Sequence, residues 1–381
     1  MRSNLAKMLA PAQRRVLWHL RIHGPTPRAE LAAQLGLHAG PLTRLSRELI
    51  ALGLVEEREQ VQAVRGRPSI PLAISGEGGY AAGATVHPGW FEIVLVDFAG
   101  TLIAREAAPF ASPDPRLFAD ALDQRLRAMA GERALMQARF LGLGLAVPGP
   151  ISKASPRRRR TVEWLREWQE VELPDFFADA LGIPVFVENE ATCAGLAEYY
   201  DSGLIGSCDT AIVFFLGHGV GGGVISHRNI FTGENGNAGE IGGLFPLDRP
   251  RPAAIDLLRC LREAGADIAA LNEIDRFLGS HADTVAAWVE RAGSQLWVGI
   301  EAGVGWIDPG AIILSGVLPQ PILLALGAKI TGGKAQLDYP LQRSIRFHVS
   351  RLGSWAAAIG GALIPIHQIT SGMYAGRFNS L

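Results

Sequence analysis

The chain changes character near residue 75. Before that point it carries 11 Lys and Arg against 5 Asp and Glu, and beyond it 25 against 32, so a basic head precedes an acidic body. The hydrophobic rhythm changes there too. Short helical periods punctuated by Gly and Pro give way to strand-length apolar runs that alternate with helical stretches. Such a chain calls for two units, with boundaries at 1–75 and 76–381, and its 381 residues leave room for about two or three domains of ordinary size.

In the head, Val16, Leu17, Leu20 and Ile22 predict an amphipathic helix over 12–22, stopped by Gly24-Pro25. Thr26 is an N-cap candidate for a second helix that opens at Pro27 and ends at Gly36. Gly40 and Pro41 predict the start of a third, ending at Gly53. At about 100° per residue, Leu42, Leu45, Leu49 and Leu52 share one side of that third helix. Thr43, Arg44 and Arg47 fall on the opposite side, near its N-terminal end. Two arginines on a helix are by themselves an ordinary solvated face. A short helix, a tight turn and a longer helix before a hairpin favour a winged helix-turn-helix, whose recognition helix offers such residues to base edges. The hairpin strands flank Arg65-Gly66-Arg67-Pro68. Two arginines split by glycine and held extended by proline suit a narrow A·T minor groove, against the plainer reading of an exposed basic turn.

Residues 80–104 read as two strands, 80–86 and then 90–98 closed by Ala99-Gly100 and TLIA; further strands are expected at 140–146, 184–188, 211–216 and 311–315, with helices at 189–201, 284–304 and 354–366. This alternation predicts an α/β protein in two lobes. Cys193, Cys208 and Cys260 form no CxxC pair, so neither a zinc motif nor a disulfide framework is expected, and reduced thiols suggest a cytoplasmic protein. No leader-like apolar segment and no run of about 18 apolar residues is evident, so no membrane partner is expected. The basic tract Arg157–Arg160 reads as a solvated loop, and Trp164 and Trp168 as residues of a lobe interface.

Five segments resemble the family of repressors, open reading frames and kinases known as ROK: GLGLAVPGPIS (142–152), VFVENEATCAGLAE (185–198), LGHGVGGGVI (216–225), NAGEIGG (237–243) and DPGAIILSG (308–316). The head resembles that of sugar-responsive repressors in the same family, of the N-acetylglucosamine and xylose repressor type. The resemblance implies a two-lobed, actin-like sugar-kinase core behind the winged head. It implies sugar-binding roles for Asn189, Glu190 and Glu240, and a phosphate-facing loop at Gly217, Gly219, Gly221 and Gly222. Chemically, Asn189 can donate and accept, and each carboxylate can accept from two hydroxyls. The plainer alternatives are a helix N-cap for Asn189 and a surface carboxylate for Glu240. In a kinase, Glu190 would be the catalytic base, although it is a methylene longer than the family's Asp.

The departures from the family pattern matter as much. Where kinases of this type carry Asp-x-Gly-Gly-Thr for phosphate and magnesium, this chain places Thr85, His87 and Pro88, and no acid occurs between Tyr80 and Phe91. His218 replaces the usual threonine of the second loop. Gly243 stands where the family's zinc-binding histidine would be, and the stretch to residue 275 offers only Cys260. The expectation is therefore a DNA-binding regulator, a repressor, of carbohydrate-metabolism genes. Its partners would be operator DNA, a saccharide and a second copy of the chain in a homodimer or higher oligomer. No catalytic residue, metal or cofactor is expected. The alternatives are an active kinase using ATP and magnesium, and a DNA-binding protein with a vestigial pocket under the control of a protein partner.

Overall fold

The computed structural model describes residues 5–58, 70–338 and 344–371. The head opens with a single turn, α1 (Leu5–Met8), then α2 (Pro11–His23), α3 (Arg28–Leu35) and α4 (Ala39–Ala51). A small antiparallel sheet follows, in the order β1 (Thr26–Pro27), β3 (Pro71–Ile74), β2 (Val55–Glu57). Three helices with a short sheet behind them make the winged helix-turn-helix arrangement. Two start signals are corrected. Thr26 does not cap α3: it pairs with Leu72 in the sheet, its hydroxyl donates to the Gly24 carbonyl, and Pro27 takes the cap position. Gly40 does not cap α4 either. The helix begins at Ala39, and Pro41 sits inside the first turn, where its missing amide costs no hydrogen bond. Gly53, at φ 72°, closes α4 in the left-handed conformation expected there.

The body contains two sheets. The first joins β4 (Tyr80–His87), β5 (Gly89–Asp97), β6 (Leu102–Phe110), β7 (Phe140–Val147) and β10 (Val185–Asn189), in the order β10-β7-β4-β5-β6. A separate ribbon pairs β8 (Ile151–Ser152) with β9 (Ser155–Arg159). The second sheet runs β13-β12-β11-β14-β16-β15. Its strands are β11 (Ala211–Leu216), β12 (Val220–Ser226), β13 (Asn229–Ile230), β14 (Ala311–Gly316), β15 (Gln336–Leu337) and β16 (Ile345–Val349). Every strand and helix expected in the body is present.

Helices fill the layers. Phe118 and Leu122 of α5 (Pro115–Glu132) and Phe177 of α6 (Leu173–Leu181) pack on the outer face of the first sheet. α8 (Ala254–Glu263), α9 (Ala282–Ile307) and α10 (Gln320–Thr331) cover the outer face of the second. Between the sheets lie α7 (Glu190–Asp201) and α11 (Trp355–Ser371). Glycines let α11 approach at backbone distance: a β-carbon on Gly144 of β7 would fall 1.9 Å from the Gly361 carbonyl oxygen, and one on Gly360 would fall 1.7 Å from that of Cys193.

The head shares this central core. Val16, Leu17 and Leu20 of α2 join the same cluster as α7 and α11. Trp18 meets His367 of α11 edge-on at 5.4 Å. Arg21 donates to the carbonyls of Phe98 and Ala99 at 2.6 and 2.5 Å. His367 also hydrogen-bonds Tyr200, near the C-terminal end of α7, at 2.9 Å. Among the described residues, no helix is long and apolar enough to cross a membrane.

Candidate functional site

Two surfaces follow from this frame, one on the head and one in the cleft between the lobes. On α4, Leu42, Leu45 and Leu49 are buried, while Arg44 and Arg47 are exposed. Thr43 is half-buried and donates its hydroxyl to the Ala39 carbonyl at 2.8 Å. Arg44 sits 3.7 Å from Glu48, a loose surface pair one turn along. Both guanidiniums therefore have reach on the helix side opposite the core. Arg65, Gly66, Arg67 and Pro68 lie outside the described residues.

In the cleft, β10 ends at Asn189 and α7 begins at Glu190, so the strand-to-helix junction carries both polar residues. Asn189 is the N-cap: its Oδ1 accepts from the amides of Ala191 and Thr192 at 2.8 and 3.3 Å. Its Nδ2 donates to the Gly149 carbonyl at 3.3 Å and to Glu240 Oε1 at 3.2 Å. Capping and site-building are thus one role, and Glu240, from a separate loop, is brought to Asn189 while it remains exposed. Glu190 lies beside Gly217, and burial pushes its carboxyl up to about 7; His87 opposes this shift and Glu240 adds to it.

The basic tract departs from expectation. Residues 155–159 form β9, and Arg157 and Arg158 pair with Glu170, Glu172 and Asp175. Arg159 is buried, donating to Glu188 at 2.7 Å and to the Gly149 carbonyl at 3.0 Å. Glu188 in turn accepts from the Asn189 amide at 2.6 Å, so this buried pair supports the junction from behind. Asn237 ties the ribbon to the loop of Glu240, accepting from the Ile151 amide at 2.7 Å. A charged run gave no sign of burial because the partner carboxylates lie 12–29 residues further along the chain.

The glycine segment is divided. Gly217 and Gly219 form a turn, with the Gly217 amide donating to the Gly219 carbonyl. Gly221 and Gly222 are not loop residues but part of β12, paired with Phe215 and Phe214. A β-carbon on Gly221 would fall 2.7 Å from that of Ala191, so this glycine serves the packing of α7 on the sheet. Across the cleft, Trp164 and His218 approach to 6.0 Å between ring centres. Trp164 Nε1 and His218 Nε2 are buried with no hydrogen-bond partner among the described residues. Burial, with a smaller contribution from His87, lowers His218 to about 4 and keeps it neutral. Trp168, in contrast, is not at the lobe interface: it packs with Phe118 and Phe177 inside the first lobe.

The hairpin that would handle phosphate is closed off. Thr85 is fully buried and donates to the Ala146 carbonyl at 3.2 Å. His87 is buried, stacked on Trp90 at 4.6 Å, and 3.4 Å from Glu92 Oε2. Glu92 Oε1 accepts from Ser354 at 2.6 Å. No sequence pattern joined these three, because 262 residues separate Glu92 from Ser354. Among the described residues, no three His, Cys, Asp or Glu side chains converge as a metal site.

A family model described as "ROK family" matches residues 87–252, and an uncharacterized protein, y4fQ, from Sinorhizobium fredii is 30% identical over 89% of this chain and 86% of its own length. The chain belongs to the ROK family. The Xylose repressor of Bacillus spizizenii is 24% identical, over 93% of this chain and 94% of its own. A solved ROK family transcriptional regulator, described as a homolog of the E. coli MLC protein, superposes with a TM-score of 0.66 at 19% identity. It covers 94% of this chain and 96% of that one. The shared ROK fold thus extends over the winged head as well as the two lobes.

Proposed function

We propose that this ROK protein is a DNA-binding transcriptional regulator, a repressor of carbohydrate-metabolism genes, whose cleft binds a saccharide without phosphorylating it. The observation that carries this reading is the contrast inside the cleft. Asn189, its own bonds all made, sets beside it two carboxylates, Glu190 and Glu240, with acceptor capacity to spare, whereas the phosphate hairpin is filled by Thr85, His87 and Glu92 bonded to protein. The Xylose repressor relative and the regulator of like fold support the DNA-binding half. Arg44, Arg47 and Thr43 would meet base edges in the major groove, and the arm at Arg65–Pro68 the flanking minor groove. Helix-turn-helix readers use paired half-sites, so the working unit is a homodimer. The saccharide acts by binding the DNA-free state more tightly than the DNA-bound state. A coupling of about 1–3 kcal/mol gives roughly a 5–150-fold change in operator affinity.

The test is binding of the full chain to DNA upstream of its own gene, with a panel of hexoses, pentoses and amino sugars, while ADP release is assayed in the same samples. Release of DNA by one sugar without ADP supports the regulator. ATP-dependent turnover that Glu190→Gln abolishes would establish the kinase instead. Tight DNA binding that no sugar affects would point to a vestigial pocket.

A further inference from the structure

The segment that follows the cleft loop, where the family's zinc cluster is missing, folds around a cavity of about 520 Å³ on the second lobe. Its wall carries four guanidiniums, from Arg249, Arg251, Arg259 and Arg262, against the carboxylates of Asp248 and Asp256. Most of this charge is already committed. Asp256 accepts from Trp288 at 3.0 Å, from Arg259 at 2.7 Å and from Arg291. Arg259 also reaches Glu263 at 2.5 Å, and Arg262 is locked onto the carbonyls of Ile268 and Ala269.

Arg249 and Arg251 are different. Arg251 is held in place by one bond, from Nη2 to the Gly242 carbonyl at 2.9 Å. Its Nε is buried with no hydrogen-bond partner among the described residues, and neither residue has an acidic partner there. That Nε is sealed from solvent, so a ligand meets the remaining nitrogens of Arg251 and the exposed Arg249 guanidinium, and the natural complement of such forks is an oxyanion. Burial also lowers the Arg251 pKa from its usual range, as expected of a cation without a counter-charge.

We propose that this cavity binds the phosphoryl group of a small metabolite, with Arg251 and Arg249 as the principal donors. The site is separate from Asn189, Glu190 and Glu240, and it does not rest on the saccharide reading. It is nonetheless connected to the cleft, because Arg251 bonds Gly242, two residues beyond Glu240, and the first amide of α8 bonds the Gly217 carbonyl at 2.9 Å. An occupant would brace the loop that presents Glu240.

The test is thermal unfolding and calorimetric titration of the full chain with inorganic phosphate, a hexose 6-phosphate and the parent hexose, at ionic strength matched with chloride. Phosphate is expected to raise the unfolding midpoint of the wild type and of Glu240→Gln alike. Arg251→Gln should weaken phosphate binding about tenfold or more, as loss of a charge-assisted bond implies. Arg249→Gln, which removes no contact within the protein and so leaves folding intact, should weaken it about fivefold. The absence of any phosphate-specific shift in the wild type would overturn the proposal, as would an unchanged response in Arg249→Gln. Hexose 6-phosphate binding that depends on Arg249 but not on Glu240 would identify an independent metabolite, and dependence on both would identify one ligand spanning cavity and cleft. Should phosphate bind while no parent hexose does, the saccharide reading alone fails.

Discussion

The two ends of the cleft use similar residue types in opposite ways. At the Asn189 end, the Asn189 side chain is fully bonded, to two backbone amides, one carbonyl and Glu240, but the Glu240 carboxylate it holds remains exposed with acceptor capacity left. At the Thr85 end, His87, Glu92 and Ser354 are joined in a chain, and both Thr85 and Glu92 are buried. Polar groups that satisfy one another stabilise a fold, and polar groups with capacity left over bind ligands. The presence of polar residues in a cleft therefore says less about activity than how their hydrogen-bonding capacity is spent.

The contrast can be broken most directly at Glu92. Glu92→Ala strands the Ser354 hydroxyl and the His87 ring inside the protein, and should cost about 3 kcal/mol of stability in denaturant unfolding. Saccharide binding should hardly change; a large loss of binding would show that the two ends are not distinct. Asn189→Ala should do both kinds of damage, with about 1–2 kcal/mol lost from the α7 cap and saccharide affinity reduced by at least tenfold. Glu240→Gln keeps the shape, so calorimetry should record roughly tenfold weaker saccharide binding with the unfolding midpoint unmoved.

A last effect appears only as pH falls or rises from neutrality. His218 is held at about 4 in the fold against about 6.5 in the unfolded chain, so the native state favours its neutral form. Its contribution is fully present above about pH 6.5 and is lost as pH falls toward 4, at no more than about 1.4 kcal/mol per unit. His218→Asn should flatten that part of the stability curve. His367, buried and lowered to about 3, acts in the same direction. Glu190 acts in the opposite one: its carboxyl is raised to about 7, so its contribution is present below about pH 4.5 and lost as pH rises through 7.

Much of this architecture was legible from residue order. Apolar runs at 80–86, 140–146, 211–216 and 311–315 are strands because both faces of each are covered, which leaves little alternation to misread. The Asn189–Glu190 junction was legible because strand end, cap and helix start share one short stretch. What escaped was settled by distant partners. Thr26 has the chemistry of a cap, yet Leu72 claims its backbone for a sheet. Gly221 and Gly222 have the composition of a loop, yet Phe215 and Phe214 pair with them and Ala191 packs on the result. Arg159 has the charge of a surface residue, yet Glu188 makes its burial tolerable.

The glycine seams of α11 have a mechanical corollary. With main chain resting on main chain at Gly144–Gly361 and Cys193–Gly360, nothing compressible separates this helix from β7 or α7. Sliding would demand that whole backbones climb over one another, so α7 and α11 are held as one layer. Trp18 rests on His367 toward the far end of the same helix, and Arg21 holds the turn after β5, so the winged head is seated directly on this rigid layer.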